Sequence, residues 1–488
     1  MQKMSFQSLG FVLFFPCCCL VYYCLPRRMR PAWLLAASYF FYLCCGVGFA
    51  ALLAVVTLAS YLLGRALGCA RTRRGRRLLL AAGVAGAAGI LAVFKYAGFA
   101  LQAAADLLHL FGITVAPPAF SLALPVGLSF YTFQVIGYLA DVYRGNLAPE
   151  RSLLRYGLFV SFFAHILSGP IARGSQLLPQ LEHPAPFDAA GVRDGLLLML
   201  WGCFEKLVVA DRAGLVVDTV FGGYAAYGGT ERLLAAVLYA VQLYADFAGY
   251  SHIAQGAAGV LGIRLADNFR QPYLAQTVRE FWGRWHISLS SWLRDYIYIP
   301  LGGSRRGRLR QYVNLMVTFL VSGLWHGAAW HFVFWGGLHA VYQIAGRLTA
   351  PLRTRINLGQ GLLPRWARRL VTFGLVTVAW VFFRADSVHQ ALSYLGGIAG
   401  WPDPWVFTNG TLLGLGLDGW GWFVLFCAVL LLVGVDCLHE RGIRLRPVLA
   451  RQPAAYRWIV YYAAAAAVLV FGIWGPGYAA ANFVYFQF

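Results

Sequence analysis

The sequence predicts an all-α fold, a polytopic helix bundle integral to a membrane, and three observations lead to this prediction. Of the 488 residues, 60% are hydrophobic and only 12% are charged, about half the charged share of an ordinary soluble domain. Apolar runs long enough to cross a hydrocarbon core recur along the chain. Short clusters of arginine separate these runs, as in loops that flank membrane spans.

The candidate spans are the apolar runs themselves. They lie near 9–25, 32–45, 47–64, 78–94, 153–169, 231–247, 370–385, 419–436 and 458–475. A single positively charged residue, Lys3, precedes the first run, which leads directly into further spans. We therefore interpret this run as a span and not as a cleaved signal peptide. Several runs are short, and we expect tilted, paired or re-entrant helices. We predict one integral membrane domain over 1–488 with about ten to twelve helices.

The net charge of +21 does not indicate binding to nucleic acid, because the basic residues form short clusters between apolar runs. The clusters lie at 27–30, 71–77, 305–310, 353–369 and 441–457. Such clusters are typical of cytoplasmic loops, where they also contact acidic lipid head groups. We therefore predict that 71–77 and 353–369 face the cytoplasm and that both chain ends lie outside.

The stretch 265–310 differs from the apolar runs. It combines many aromatic residues with the polar side chains Asp267, Arg270, Arg279, Glu280, Arg284, His286, Arg294 and Asp295. It is too polar to face lipid and too aromatic for a plain loop. We expect amphipathic or re-entrant helices here, packed against the bundle and punctuated by Pro272 and Pro300.

Five of the ten histidines fall within 88 residues, and histidine is the side chain best suited to proton transfer near neutral pH. They are His252, His286, His326, His331 and His339. The 42 residues between Arg310 and Arg353 are enough to cross the bilayer twice, which places His326 deep or on the far side. An intramembrane ionisable residue is a functional hypothesis by default, and Gly323 and Gly327 permit close approach of backbone or ligand.

For most of the histidines, a structural role is the better interpretation. We expect His331 and His339 to be hydrogen-bonded packing residues and His252 to be a satisfied core histidine. From depth and periodicity alone, catalysis and packing are equally supported for His326. The sequence contains no G-x-S-x-G elbow, P-loop or H-E-x-x-H arrangement. Neither the ten cysteines nor the histidines show the spacing of a metal site.

Several long motifs stand out along the chain. They are REFWGRWHISLSSWLRDYIYIPLGGSRRG (279–307), SGLWHGAAWHFVFWGGLHA (322–340), LPVGLSFYTFQVIGYLADVYRG (124–145), FVSFFAHILSGPIARGSQLLPQL (159–181), QLYADFAGYSHIAQG (242–256), NFRQPYL (268–274), AWVFFRADS (379–387) and FVYFQF (483–488). Together they resemble the bacterial branch of the membrane-bound O-acyltransferase family, in particular its alginate O-acetyltransferase subfamily. They extend over essentially the whole chain and are jointly specific.

The resemblance implies a catalytic role for His326 and for His286, 40 residues upstream, with a catalytic centre at about 265–345 around a tunnel. Arg284, Asn314 and Trp325 are expected to surround the pair. The implied reaction moves an acetyl group from cytoplasmic acetyl-CoA to an exported polysaccharide, with the help of extracytoplasmic acetyl-accepting or polysaccharide-modifying proteins. The expected location is the bacterial inner membrane, and no bound cofactor or metal is expected.

Two rival functions remain open at this point. D-alanyl transfer to teichoic acid shares the two-histidine core, although the IPLGGSRRG loop and the long C-terminal part favour the alginate-type branch. A polysaccharide exporter would predict internal repeats, which are absent from the sequence.

The chain also departs from the family pattern at three positions. It has His252 where an acidic residue is expected after GYS, Glu205 where a basic residue is common, and His165 where uncharged residues or proline prevail.

Overall fold

The structure is a computed structural model that describes residues 4–115, 122–167, 169–352, 359, 361–400 and 403–474. Every regular element in this part of the chain is helical, which confirms the predicted fold class. Six of the described helices are long and apolar enough to cross a membrane, and the apolar segments Leu9–Cys24 and Leu153–Ile166 are shorter. The predicted total of about ten to twelve helices, and the single domain over 1–488, stay predictions.

The described chain divides into two compact units. The first unit lies within 1–195 and 254–266. Its helices are α1 (Leu9–Cys24), α2 (Arg30–Leu43), α3 (Val47–Cys69), α4 (Arg73–Leu110), α5 (Leu128–Arg144), α6 (Leu153–Ser161), α7 (Phe163–Ile166), α8 (Gly174–Glu182) and the start of α9 (Ala189–Cys203). Within this unit α3, α4 and α5 pack against one another, and α2 packs against α6.

The second unit lies within 196–253 and 267–487 and contains all the predicted site residues. After α9 and a π-helix (Phe204–Ala210), its helices are α10 (Asp211–Gly222), α11 (Gly229–Val260), α12 (Val278–Arg284), α13 (Ile287–Leu293), α14 (Arg308–His326), α15 (Trp330–Leu348), α16 (Leu362–Arg384), α17 (Val388–Ile398), α18 (Gly419–Glu440), α19 (Leu445–Ala450) and α20 (Ala454–Phe471). The end of α11 belongs to the first unit.

The predicted apolar runs lie mainly within one helix each, except 153–169, which is divided between α6 and α7. Some helices extend further than hydropathy alone indicates. The run at 78–94 is part of α4, which has 38 residues and is therefore about 57 Å long, well beyond the hydrocarbon thickness of a bilayer. Alanine and leucine continue past the apolar run and favour helix there. Of the predicted cytoplasmic stretch 353–369, residues 353–358 and 360 lie outside the described residues, as does the motif at 483–488.

The stretch 265–310 is built from short elements, as predicted. Two seven-residue helices, α12 and α13, follow each other and are joined at His286. A π-helix, Arg294–Tyr298, continues from α13. Pro272 opens a single 3-10 turn, Pro272–Leu274. Because α12 packs against α15 and α16, the segment is held on the long helices of the second unit.

Helices α14 and α15 form a tight hairpin, and His326 is the last residue before the turn. The two helices have 19 residues each. Their backbones approach closely at glycines, because a Cβ at Gly323 would overlap the Phe332 carbonyl oxygen and one at Gly336 would overlap the Phe319 carbonyl oxygen. The close approach expected at Gly323 is therefore one of backbone to backbone, and it sets the register of the hairpin.

Candidate functional site

The His326 imidazole lies in a cage of aromatic rings at the turn of the hairpin. The side chain is almost completely buried. Ring centroids of Trp325, Trp335 and Phe383 lie 4.9, 5.0 and 5.2 Å from that of His326, all close to edge-on. These rings come from α14, α15 and α16, so the packing of three helices fixes the imidazole and keeps it away from bulk water.

His286 occupies the junction between α12 and α13 in a strained backbone conformation. Its φ of 43° and ψ of 54° are left-handed, a region that residues other than glycine adopt at a cost of about 1–3 kcal/mol when the surroundings impose it. The side chain is fully buried, and its Nδ1 lies 3.1 Å from Asn268 Oδ1. Burial lowers the pKa of the His286 imidazole to about 3, so the ring is neutral near physiological pH.

Trp325 connects the two imidazoles. Its ring centroid is 4.9 Å from that of His326 and 6.0 Å from that of His286. Phe247 of α11 packs edge-on against His286 from another side, with centroids 4.6 Å apart. The structure thus brings together His326, His286 and Trp325, three of the five residues that the sequence analysis selected.

The other two, Arg284 and Asn314, hold neighbouring segments instead. The Arg284 guanidinium forms ion pairs with Glu280 at 2.6 Å and with Glu440 at 2.7 Å, which links α12 to the end of α18. Asn314 Nδ2 donates to the Gly303 carbonyl at 2.9 Å. Since Asn314 precedes His326 by twelve residues, the two are about 18 Å apart along α14. None of these hydrogen bonds or ion pairs reaches either imidazole.

The other three of the five clustered histidines are hydrogen-bonded packing residues, in agreement with their interpretation from sequence. His331 Nδ1 lies 3.1 Å from the Phe382 carbonyl oxygen. Trp282 Nε1 donates to His339 Nδ1 at 3.2 Å. His252 Nδ1 lies 2.5 Å from Glu205 Oε2, so this histidine is a satisfied residue with a carboxylate partner.

Sequence reasoning missed Asn268, which is the direct hydrogen-bond partner of His286. Its Oδ1 also lies 2.9 Å from Ser288 Oγ and 3.3 Å from Ser288 N. The NFRQPYL motif contained this residue, but nothing in its spacing distinguished it, because the contact with His286 spans 18 residues and depends on packing. Among the described residues, no group of three histidine, cysteine, aspartate or glutamate side chains is arranged to hold a metal ion.

A large basic cavity lies at the end of the hairpin away from His326. Its volume is about 1650 Å³, and parts of α12, α15, α16 and the end of α18 form its wall. Six arginines line it, Arg279, Arg347, Arg365, Arg368, Arg369 and Arg441, against one carboxylate, Glu440. Within the described part of the chain, Arg279, Arg347, Arg365 and Arg441 form no ion pair. Trp366 also lines the cavity, and the Arg369 guanidinium lies 4.8 Å from its ring centroid.

Arg347 is one of the arginines that line this cavity. Its Nε is buried and has no hydrogen-bond partner in the described chain. By contrast, Arg368 Nε donates to Gln276 Oε1 at 3.0 Å, and Arg369 Nε donates to the Leu274 carbonyl at 3.0 Å. Two arginines therefore build the wall, whereas the others supply positive charge that no described carboxylate compensates. Such a cavity suits a polyanionic ligand.

Comparison with known proteins agrees with these features. Residues 148–384 match the model of the membrane-bound O-acyltransferase family. The chain is 39% identical over 407 residues to a probable alginate O-acetylase of Pseudomonas putida, which covers 82% of this chain and 81% of the relative. It is 32% identical over 429 residues to a peptidoglycan O-acetyltransferase of Helicobacter pylori, covering 81% and 78%. A teichoic acid D-alanyltransferase of Bacillus subtilis is 27% identical over 56% of this chain and 72% of its own.

Proposed function

The chain belongs to the membrane-bound O-acyltransferase family, and from this premise we propose that it transfers acetyl from acetyl-CoA to hydroxyl groups of an exported or cell-surface polysaccharide. The protein is an O-acyltransferase and a multi-pass integral membrane protein, as predicted. Its predicted location in the bacterial inner membrane agrees with its relatives.

The observation that carries the proposal is the pair of buried imidazoles joined by Trp325. A hydroxyl is a weak nucleophile until a positioned base removes its proton. Neutral His326, held by three rings, accepts that proton while the acceptor oxygen attacks the thioester carbonyl. The carbon–sulfur bond then breaks, and the departing thiolate takes the proton from the imidazolium. His286, neutral and fixed, orients the reacting groups by hydrogen bonding.

The basic cavity supports a nucleotide-bearing thioester as the acetyl donor. Coenzyme A carries several phosphate charges and an adenine ring, which arginines and a tryptophan face are suited to bind. Arg347 and Arg365 have no carboxylate partner among the described residues, and Trp366 offers an exposed ring. Because arginine clusters mark the cytoplasmic side, the cavity opens where acetyl-CoA is present.

One face of α15 leads from this cavity to His326 and is the route we propose for the acyl arm. Gln343 lines the cavity, and His339 and Trp335 follow at intervals of four residues on the same helical face. Ring centroids of His339 and Trp335 lie 5.0 Å apart, as do those of Trp335 and His326. The axial distance from Gln343 to Trp335 is about 12 Å.

The acceptor is proposed from the relatives. One is named for alginate and another for peptidoglycan, and both of these acceptors are glycans that lie outside the cytoplasm. We therefore place the acceptor hydroxyl on the side of the hairpin turn, with extracytoplasmic proteins receiving or passing on the acetyl group. D-alanyl transfer is less supported, because the relatives with that activity match a smaller part of the chain.

Transfer of labelled acetyl from acetyl-CoA into polymer, measured in membranes with matched protein levels, tests the proposal. We expect His326→Ala to lower transfer by a factor of about 100 to 10,000, the usual effect of losing an essential base. His331→Ala is the matched control, since His331 is buried nearby but bonded to the Phe382 carbonyl. Substantial turnover by a folded His326→Ala protein would contradict the proposed function.

A further inference from the structure

The side chain of Asn268 determines which nitrogen of His286 carries the proton. Asn268 Oδ1 lies 3.3 Å from the Ser288 backbone nitrogen, and a backbone N–H can only donate. The atom at this position must therefore be the carbonyl oxygen of the amide and not its NH₂ group. Since His286 Nδ1 lies 3.1 Å from the same oxygen, Nδ1 must be the donor and carry the hydrogen.

Two neighbours hold the Asn268 amide in one orientation. Asn268 Nδ2 donates to Ser251 Oγ at 3.1 Å, and turning the amide over would set its NH₂ group against the Ser288 N–H, so that two donors would face each other. Asn268 and Ser251 are both almost completely buried, and a buried polar group that loses its partner is costly. The amide therefore has one favoured orientation.

The backbone around Asn268 also clamps His286. The Ile287 N–H donates to the Asn268 carbonyl at 2.9 Å, and the Arg270 N–H donates to the Arg284 carbonyl at 2.9 Å. These two hydrogen bonds hold 268–270 alongside 284–287. They help to impose the left-handed conformation of His286, which its own preferences disfavour.

We propose that Asn268 is a positioning residue that holds His286 as the Nδ1–H tautomer, so that Nε2 presents its lone pair to the reacting groups. This inference rests on the proposed function for the role of His286 in turnover, but the tautomer itself does not. In this arrangement a neutral imidazole accepts a hydrogen bond through Nε2 at every cycle. Without Asn268, both tautomers and both ring orientations become available.

The tautomer is measured directly by ¹⁵N shifts of the full-length protein labelled at histidine, with the His286 signals assigned by their loss in His286→Gln. We expect Nδ1–H for His286 in the unmodified protein and a mixture in Asn268→Leu. An Nε2–H tautomer in the unmodified protein, or no change in Asn268→Leu, would overturn the inference. Since this measurement needs no turnover, its result stands even where no acetyl transfer is observed.

Turnover provides the second arm. Asn268→Leu should lower kcat about 5- to 150-fold, as expected for loss of a buried hydrogen-bond partner, with little change in KM for the donor. Asn268→Asp keeps the acceptor and should retain more activity, because the Ser251 hydroxyl can reverse its role and donate. The added carboxylate favours protonated His286, so the acidic limb of the pH profile should move to higher pH. A purely structural role would leave that profile unmoved.

Two further variants provide an alternative and a control for the turnover experiment. If Asn268→Leu does not accumulate in membranes, Ser251→Ala loosens the same amide with a smaller change and should lower kcat in the same direction. Thr318→Val is the matched control. Thr318 lies on α14 and is buried, as Asn268 and Ser251 are, but its hydroxyl donates to the Asn314 carbonyl. Wild-type kcat in Asn268→Leu, with active unmodified protein, would contradict the inference and leave the proposed function intact.

Discussion

Glu205 and His252, where the resemblance leads us to expect a basic and an acidic residue, are partners: Glu205 Oε2 lies 2.5 Å from His252 Nδ1. Glu205 comes from the π-helix and is buried, whereas His252 comes from α11 and keeps about a fifth of its exposure. Helix α9, which leads into the π-helix, meets α11 where Gly202 and Gly249 lie against each other. A Cβ at Gly249 would come within 2.8 Å of the Gly202 carbonyl oxygen. The acidic side chain and the imidazole are therefore in one direct contact.

This contact predicts that the loss of stability caused by substituting one partner is recovered when the other partner is substituted as well. Glu205→Lys should destabilise the protein, because it places a second ammonium beside Lys206 and opposite His252, and His252→Asp should pair two carboxylates. Each loss should be on the order of 2–4 kcal/mol, near or below the range for breaking a buried ion pair because His252 is partly exposed. The double variant should recover most of the stability, giving a coupling energy that thermal unfolding in detergent measures.

The exposed pair Asp267 and Arg270 provides the control for this cycle. The two side chains are 3.0 Å apart but more than half exposed, so Asp267→Ala should change stability by about 1 kcal/mol at most. Additive effects of Glu205→Lys and His252→Asp, with no recovery in the double variant, would show that the two residues are not a functional unit.

The second prediction concerns His286. Glutamine tolerates the left-handed backbone, as Gln271 does in the same segment with a φ of 44°, and it can donate to Asn268 Oδ1. We expect His286→Gln to keep measurable acetyl transfer, about 10- to 100-fold below the unmodified protein, whereas His286→Leu should lose it because leucine has no polar atom to offer. Equal and complete loss in both variants would indicate that His286 itself carries the proton.

The third prediction concerns the basic cavity. Arg347→Ala and Arg365→Ala each remove a positive charge that has no carboxylate partner in the described chain, and each should raise KM for acetyl-CoA about 5- to 30-fold. The value of kcat should change little, because His326 lies at the other end of the hairpin. Initial rates at varied acetyl-CoA concentration measure both constants.

Arg451→Ala is the matched control for the cavity, since Arg451 is exposed and does not line it. Adenosine 3′,5′-bisphosphate should compete with acetyl-CoA in the unmodified protein and less well in Arg365→Ala. A reduced kcat with unchanged KM in both cavity variants would place the nucleotide elsewhere.

The fourth prediction is the membrane orientation. In a background without the ten native cysteines, reporters at Arg74→Cys and Ala367→Cys should react only with reagents that reach the cytoplasm, because both lie in arginine clusters. Ala367 lies near the start of α16, which runs from Leu362 to Arg384, so Thr408→Cys beyond the other end should react from outside. Labelling of Arg74→Cys from outside alone would reverse the predicted topology.

The sequence by itself determined the features that depend on local composition. Hydropathy located the helices at 9–25, 47–64 and 419–436, because the cost of burying charge in lipid acts on each segment separately. The mixture of polar and aromatic residues over 265–310 also predicted helices packed against the bundle and punctuated by prolines. The boundaries of α4 were underestimated, since a helix continues beyond the apolar run wherever its residues favour helix.

Only the tertiary structure decided which side chains meet. Asn268 and His286 are 18 residues apart, and Glu205 and His252 are 47 apart, so neither contact has a periodic signal in the sequence. The resemblance places Arg284 around the histidine pair, yet Glu280 and Glu440 bind its guanidinium. These contacts between distant residues depend on where helices cross at glycines and on the strained backbone at His286. Both features arise only when the whole unit packs.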